Sequence, residues 1–237
     1  DAMDCGADDF EAEGDCFTIY TDPDDFNAVA DALHERHDLG IYTEIFSPAA
    51  ARLMRSGVVT NRCKNFHPGK TVCGFVWGDQ AFYDFIDHNP DIELLPTSYV
   101  NDPYHIAQND NMVSINTALQ IDLTGQICSE TLDGRLYSGT GGATDFAAGA
   151  YMSRGGRGIV VITSTAKGGT ISKIQPQLSP GSVVSISRNW VDYVVTEYGA
   201  AHLRGASIRQ RVERLISISH PDFRAELRRQ AQALLLW

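Results

Sequence analysis

The pattern of hydrophobic and polar positions along the chain has two periods, and each period predicts its own kind of element. Short runs of β-branched and aromatic residues predict strands at 16–20, 40–46, 71–77, 158–163, 182–187 and 193–197. Apolar residues at helical spacing predict helices at 24–37, 49–56, 79–86, 145–152, 208–218 and 221–236. Their alternation predicts one α/β domain with an open, mostly parallel sheet and helices on both faces.

Charge is distributed unevenly along the chain, whose formal net charge is −11. The acidic stretch 1–13 predicts a flexible arm ahead of a folded domain at 14–237. The arginines from Arg204 onward predict a solvated helix face, or alternatively a surface for an acidic partner or for the phosphates of a cofactor. The negative net charge argues against nucleic-acid binding through broad phosphate neutralisation.

Five cysteines, none of them in a CxxC pair, argue against a disulfide framework or a zinc site. The histidines have no metal-ligand spacing, so no metal is expected. No apolar run approaches the roughly 20 residues that cross a bilayer, and the acidic amino terminus is unlike a secretory signal. We therefore expect a cytoplasmic protein that acts without a membrane. The chain does not begin with Met, as expected of a trimmed or partial chain.

A cluster of glycines precedes the helix expected at 145–152. We call residues 139–142, with Gly139, Gly141 and Gly142, the glycine cluster. Consecutive glycines let backbone N–H groups approach a ligand oxygen or phosphate, and a following helix adds the positive end of its dipole. A tight turn without a ligand is the alternative interpretation.

Three other side chains are candidates for chemistry. Glu44 lies within an apolar, β-branched run, where burial would leave its carboxylate poorly solvated and more nucleophilic. The alternative is an exposed Glu on the wet face of an edge strand. Asn101 precedes Asp102-Pro103, where its amide either shapes a turn or donates to an oxyanion. Lys167 stands beside glycines after a buried strand, a context that favours phosphate or carboxylate binding, although most surface lysines bind nothing.

Several stretches together resemble the acetyl-CoA hydrolase/transferase family, which includes 4-hydroxybutyrate and butyrate CoA-transferases. The resemblance extends over roughly residues 14–232 and follows the same order along the chain. The matching stretches are 38–47, 101–104, 108–116, 138–146, 164–169, 191–199 and 220–224.

The resemblance implies that 14–237 is the carboxy-terminal catalytic domain of a CoA-transferase, with a fold of two similar α/β halves. It implies that Glu44 is the nucleophile, which carries CoA as a glutamyl-CoA thioester, and that Asn101 orients the reacting groups. The glycine cluster is implied to supply backbone donors, and Lys167 to contact coenzyme A, which is a substrate here.

Two departures from the family pattern change the expectation. Family members are about twice as long, so we expect a second chain to supply the amino-terminal half in a hetero-oligomer. At residues 20–25, aspartates and a proline replace the Gly-Ile-Gly loop that contacts CoA in the family, so we expect the isolated chain to bind CoA weakly. An acyl-CoA hydrolase, or a non-catalytic subunit that binds a partner chain, is the alternative.

Overall fold

The computed structural model describes residues 9–13, 16–20, 39–132 and 134–236. The helix expected at 24–37 and the loop at 21–25 lie outside these residues. The chain divides into two compact units, residues 1–100 and 101–237.

The first strands of the chain form a hairpin. Strand β1 (Asp9–Glu13) pairs antiparallel with β2 (Cys16–Tyr20). The strand at 16–20 was expected, and its partner strand comes from residues 9–13, which the sequence analysis assigned to an acidic arm. Phe10 and Ala12 alternate with acidic residues there, which is the period of two that suits a strand.

A parallel sheet of three strands forms the centre of the first unit. It consists of β3 (Tyr42–Phe46), β4 (Thr71–Val76) and β5 (Ile92–Leu94), with β4 in the middle. Its helices are α1 (Pro48–Arg55), α2 (Gln80–Ile86) and α3 (Thr97–Val100). Ser47 and Asp79 cap α1 and α2 by accepting hydrogen bonds from backbone N–H groups of the first turn.

The second unit contains a four-stranded sheet in the order β16, β15, β11, β6. The strands are β6 (Val113–Thr117), β11 (Arg157–Val161), β15 (Tyr193–Thr196) and β16 (Gly199–His202). The β6–β11 and β11–β15 pairs are parallel, and β16 is antiparallel to β15. Strand β6 is an edge, and its Ile115 side chain is 68% exposed.

Helices and short strands complete the second unit. The helices are α4 (Pro103–Ile106), α5 (Ala143–Met152), α6 (Ile208–Ser217) and α7 (Pro221–Ala233). The short strands are β7 (Gln120–Asp122), β8 (Ile127–Cys128), β9 (Thr131–Leu132), β10 (Arg135–Leu136), β12 (Thr165–Ala166), β13 (Ile171–Ser172) and β14 (Ile174–Gln175). The core holds apolar residues of the sheet, α6 and α7, among them Val194, Leu215 and Leu227.

The α/β class and the parallel strand pairing confirm the fold that the sequence predicts. The prediction of a strand at 182–187 is wrong. Within this segment only Ile186 forms a β-bridge, which pairs it with Ile127 of the two-residue strand β8. So short a partner has no room for a longer ladder. The strands also fall into separate sheets, whereas the sequence predicts a single one.

Candidate active site

Glu44 lies in the middle of β3, at the edge of the first unit's sheet. Its side chain is half-buried, between the two environments that the sequence left open. Side chains alternate between the faces of a strand, so Glu44 shares a face with the buried Tyr42 and Phe46. A half-buried carboxylate on such a face remains accessible to a substrate while part of its hydration is removed.

Gly74 lies beside Glu44 on the neighbouring strand. A methyl group at this position would lie 3.1 Å from the Glu44 carbonyl oxygen and 3.4 Å from Thr97 Oγ1 of α3. The absence of a side chain therefore lets α3 pack close to the Glu44 backbone. Sequence reasoning missed Gly74, although an isolated glycine inside a strand pattern is a signal of close backbone approach.

Asn101 and the glycine cluster belong to the second unit, where α4 and α5 lie side by side. A methyl group on Gly149 of α5 would lie 2.5 Å from Ile106 Cβ in α4. Further along, Ser153 Oγ donates to the Asn109 carbonyl oxygen at 2.7 Å. Helix α4 and the segment after it therefore pack against the second half of α5.

The glycine cluster leads directly into α5. Gly142 is the N-cap residue, and no side chain caps the helix there. Gly139 and Gly141 are exposed, and a methyl group on Gly139 would meet nothing within 4 Å. Backbone N–H groups at the start of a ten-residue helix and the positive end of its dipole suit an anionic oxygen at this place.

Lys167 lies at the tip of the hairpin formed by β12 and β13. Its backbone is in the left-handed region (φ 49°), and Gly168 and Gly169 follow with φ values of 65° and 89°. The turn is closed by a hydrogen bond from the Gly169 N–H to the Ala166 carbonyl oxygen. The Lys167 side chain is exposed, as a contact to a ligand phosphate requires.

Glu197 anchors the start of this hairpin. Its carboxylate accepts the Ser164 hydroxyl at 2.6 Å and the Ser164 N–H at 2.9 Å. The Ser164 side-chain hydrogen bond is the main cause that lowers the pKa of Glu197. This contact joins the end of β15 to the segment that leads to Lys167, and sequence reasoning did not single out either residue.

The structure thus places Glu44 in the first unit, and Asn101, the glycine cluster and Lys167 in the second. In the described parts of the chain, no group of three or more His, Cys, Asp or Glu side chains could hold a metal ion. Cys73 and Cys128 are buried free thiols. None of the helices described here has the length and apolar character needed to cross a membrane.

Comparison with known proteins gives consistent matches. Residues 78–231 match the model of the acetyl-CoA hydrolase/transferase C-terminal domain. The succinyl-CoA:cyclohexane-1-carboxylate CoA transferase of Geobacter metallireducens is 51% identical over 208 residues, which are 88% of this chain and 48% of that protein. The 4-hydroxybutyrate coenzyme A transferase of Clostridium kluyveri is 48% identical over 201 residues, 85% of this chain and 47% of that protein.

A solved structure agrees with these matches. The crystal structure of RipA from Yersinia pestis superposes with a TM-score of 0.81 at 46% identity, and covers 89% of this chain and 48% of that one. The chain therefore spans about half the length of the relatives that it matches.

Proposed function

Because this chain belongs to the acetyl-CoA hydrolase/transferase family, we propose that it is the carboxy-terminal catalytic part of a CoA-transferase. It transfers coenzyme A between an acyl-CoA and a small carboxylate, and Glu44 is the nucleophile. The observation that carries the proposal is 51% identity to a CoA transferase over 208 residues. The half-buried Glu44 side chain, between the buried Tyr42 and Phe46 on one face of β3, supports it.

The reaction proceeds by exchange at the Glu44 carboxyl group. The carboxylate attacks the thioester carbonyl carbon, the C–S bond breaks, and an acyl-glutamyl anhydride and CoA thiolate result. The thiolate then attacks the glutamyl carbonyl carbon, which releases the first acid and leaves a glutamyl-CoA thioester. An acceptor carboxylate reverses both steps, so the new acyl-CoA departs and Glu44 is regenerated.

The remaining site residues stabilise and position the reacting groups. The Asn101 amide orients them, and backbone N–H groups of Gly139, Gly141 and Gly142 donate to developing negative charge on oxygen. Lys167, exposed at its hairpin tip, contacts CoA. The protein acts in the cytoplasm, where thiols such as those of Cys73 and Cys128 remain reduced.

The assembly contains a second chain that supplies the amino-terminal half of the family fold. Support comes from the relatives, which continue for about as many residues again beyond the matched part. Coenzyme A then binds with contributions from both chains, so binding to this chain alone is weak.

Replacement of Glu44 tests the nucleophile. Glu44→Gln keeps the shape of the side chain but removes the attacking carboxylate, so transfer should fall by about 10³-fold or more. Wild-type protein incubated with an acyl-CoA should form a glutamyl-CoA adduct on the peptide that contains Glu44, which borohydride converts to a stable alcohol. Glu213→Gln, at an exposed glutamate of α6, is the matched control and should retain both activity and adduct.

Two outcomes decide between the candidate functions. If Glu44→Gln retains full transferase activity, Glu44 is not the nucleophile and the proposal fails. If the adduct forms but water, rather than an added carboxylate, consumes it, the protein is an acyl-CoA hydrolase that uses the same intermediate. Product analysis with and without acetate as acceptor distinguishes the two.

Affinity purification tests the companion chain. A tag on this chain, expressed with its chromosomal neighbours, should recover a second α/β chain of similar size, and transferase activity should follow the complex in gel filtration. A monodisperse monomer that carries full transferase activity would contradict the two-chain assembly while leaving the role of Glu44 intact.

A further inference from the structure

Three side chains of the first unit form a continuous polar chain of contacts. His67 Nδ1 lies 2.6 Å from Glu93 Oε2, and His67 Nε2 lies 3.0 Å from the Tyr99 hydroxyl oxygen. The three residues come from the α1–β4 connection, from β5 and from α3. His67 therefore links three separate elements through its two ring nitrogens.

The arrangement fixes the roles of the ring nitrogens. Carboxylate Oε2 of Glu93 can only accept, so the Nδ1 hydrogen is assigned to this contact, and in the neutral ring Nε2 accepts the Tyr99 hydroxyl hydrogen. Only 20% of the His67 side chain is exposed. The Phe66 ring packs edge-on against the imidazole, with 4.4 Å between the two ring centroids. The His67 backbone is in the left-handed region, at φ 52°. A non-glycine residue adopts this backbone where surrounding contacts determine it.

This polar chain lies on the face of the sheet that carries Glu44. Glu93 pairs in register with Val72, and Val72 pairs with Tyr42, so Glu93 and Tyr42 point to the same side. Glu44 is two residues after Tyr42 and points there as well. The Tyr42 hydroxyl donates to the Tyr99 carbonyl oxygen at 3.4 Å, which joins β3 to α3 on this face.

Helix α3 depends on such contacts because it has only four residues. So short a helix does not form by itself. Its first residue, Thr97, packs at Gly74 beside the Glu44 backbone, and its last, Val100, is fully buried. The side-chain contact at Tyr99 lies between these two anchors, so its loss would loosen the element that covers the Glu44 strand.

We infer that His67 is a positioning residue, which holds Tyr99 and thereby fixes α3 against the face of the sheet that carries Glu44. The inference rests on the proposed function as far as catalysis is concerned. His67 and Glu93 act through Tyr99, and the order of α3 determines how well the Glu44 carboxylate is aligned for attack.

The test uses four variants of the full chain. His67→Asn keeps a donor to Glu93 but loses the Tyr99 contact, and asparagine tolerates the left-handed backbone. His67→Gln places an amide oxygen near the position of Nε2, so it can accept the Tyr99 hydroxyl. Tyr99→Phe removes only the hydroxyl and keeps the ring that stacks on Phe66. His88→Gln is the control, since His88 also has a left-handed backbone (φ 53°) but its side chain is 92% exposed.

Two measurements are made on each variant. Hydrogen exchange of the Tyr99 and Val100 amides, which both bond to the Pro96 carbonyl oxygen, reports the order of α3 without any substrate. The single-turnover rate of CoA loading onto Glu44, measured in the assembly that carries the activity, reports alignment. His67→Asn and Tyr99→Phe should each speed exchange and slow loading by about five- to tenfold, the effect of one lost hydrogen bond.

The acyl-CoA concentration that gives half of the maximal loading rate should change less than about twofold in these variants, because the contact between His67 and Tyr99 does not touch the substrate. His67→Gln should restore most of both losses, and His88→Gln should match wild type. A His67→Asn variant with wild-type exchange, or one that loosens α3 yet loads Glu44 at the wild-type rate, would overturn the inference. If no form of the protein loads Glu44 while exchange still responds to His67→Asn, the proposed function fails and the structural link through His67 stands.

Discussion

Lys64 is a half-buried lysine of the first unit. Its Nζ donates to the carbonyl oxygens of Ile41 at 2.9 Å and Lys70 at 2.6 Å, so it ties the α1–β4 connection to the start of the sheet. Desolvation by burial lowers the pKa of Lys64 from 10.5 to about 8, and the nearby Glu93 carboxylate opposes part of that change. The neutral amine can still donate to both carbonyls, because these contacts need two hydrogens.

Ionisation of Lys64 should therefore make the free energy of unfolding depend on alkaline pH. Between about pH 8 and 10.5 the unfolded chain retains the Lys64 proton that the folded chain has released, so this contribution to the free energy of unfolding rises with pH. Urea titrations of wild type and Lys64→Met across this pH range test this. The free energy of unfolding of wild type, relative to that of Lys64→Met, should rise by about 1–3 kcal/mol from the lower to the upper pH. A pH-independent difference would contradict the assignment.

Another buried group titrates in the opposite sense and needs a control. Burial raises the pKa of the Cys73 thiol to about 11, so its contribution to stability falls as the pH rises above the value of a free thiol. Cys73 is present in both proteins of the comparison, so its effect cancels in the difference between wild type and Lys64→Met.

Helices α4 and α5 follow Asn101 and the glycine cluster along the chain and pack closely against each other. Gly149 provides the close approach: a methyl group there would lie 2.5 Å from both Cβ and Cγ2 of Ile106 and 3.2 Å from the Pro103 carbonyl oxygen. Ile106 is fully buried and β-branched, so it cannot turn away easily. The two helices must separate if a side chain is added.

Gly149→Ala should accordingly destabilise the protein by about 1–3 kcal/mol, even though alanine favours helix, because overpacking outweighs the gain in propensity. Gly139→Ala is the matched control, since a methyl group there meets open space, and its free energy of unfolding should change by less than about 0.5 kcal/mol. Chemical denaturation of the three proteins measures both values. Equal stability of Gly149→Ala and wild type would show that α4 and α5 can move apart without cost.

Predictability from sequence differs between elements for a physical reason. The strand that carries Glu44 and the helix that follows the glycine cluster could be predicted, since each is long enough to show its own period. Helices α3 and α4 have four residues each and show none, so their positions come from tertiary contacts such as that of Tyr99 with His67. Sequence periodicity therefore located Glu44 but did not identify His67, Gly74 or Glu197.

On the scale of the whole molecule, local patterns indicate strands but not their partners. The continuous apolar run at 158–163 correctly predicted a strand, β11, which the structure places between two parallel partners. The division into two units could not be predicted in this way, because no period records which strands share a sheet. The order of the motifs along the chain indicated the family, which periodicity could not do. The family match at 78–231 extends across the boundary between the two units.

The parallel pairing of β6, β11 and β15 has a consequence for how the chain reaches its native state. Ile115 pairs with Ile159, and Ile159 with Tyr193, so each pairing closes a loop of roughly 35–45 residues whose entropy must be lost first. Hairpins such as β12–β13 form within about 1–10 μs, whereas long-range parallel pairing takes far longer. Until it is complete, β6 presents unpaired backbone groups beside the apolar Val113 and Ile115, and it can associate with another chain. The yield of refolded protein should therefore fall as its concentration during refolding rises.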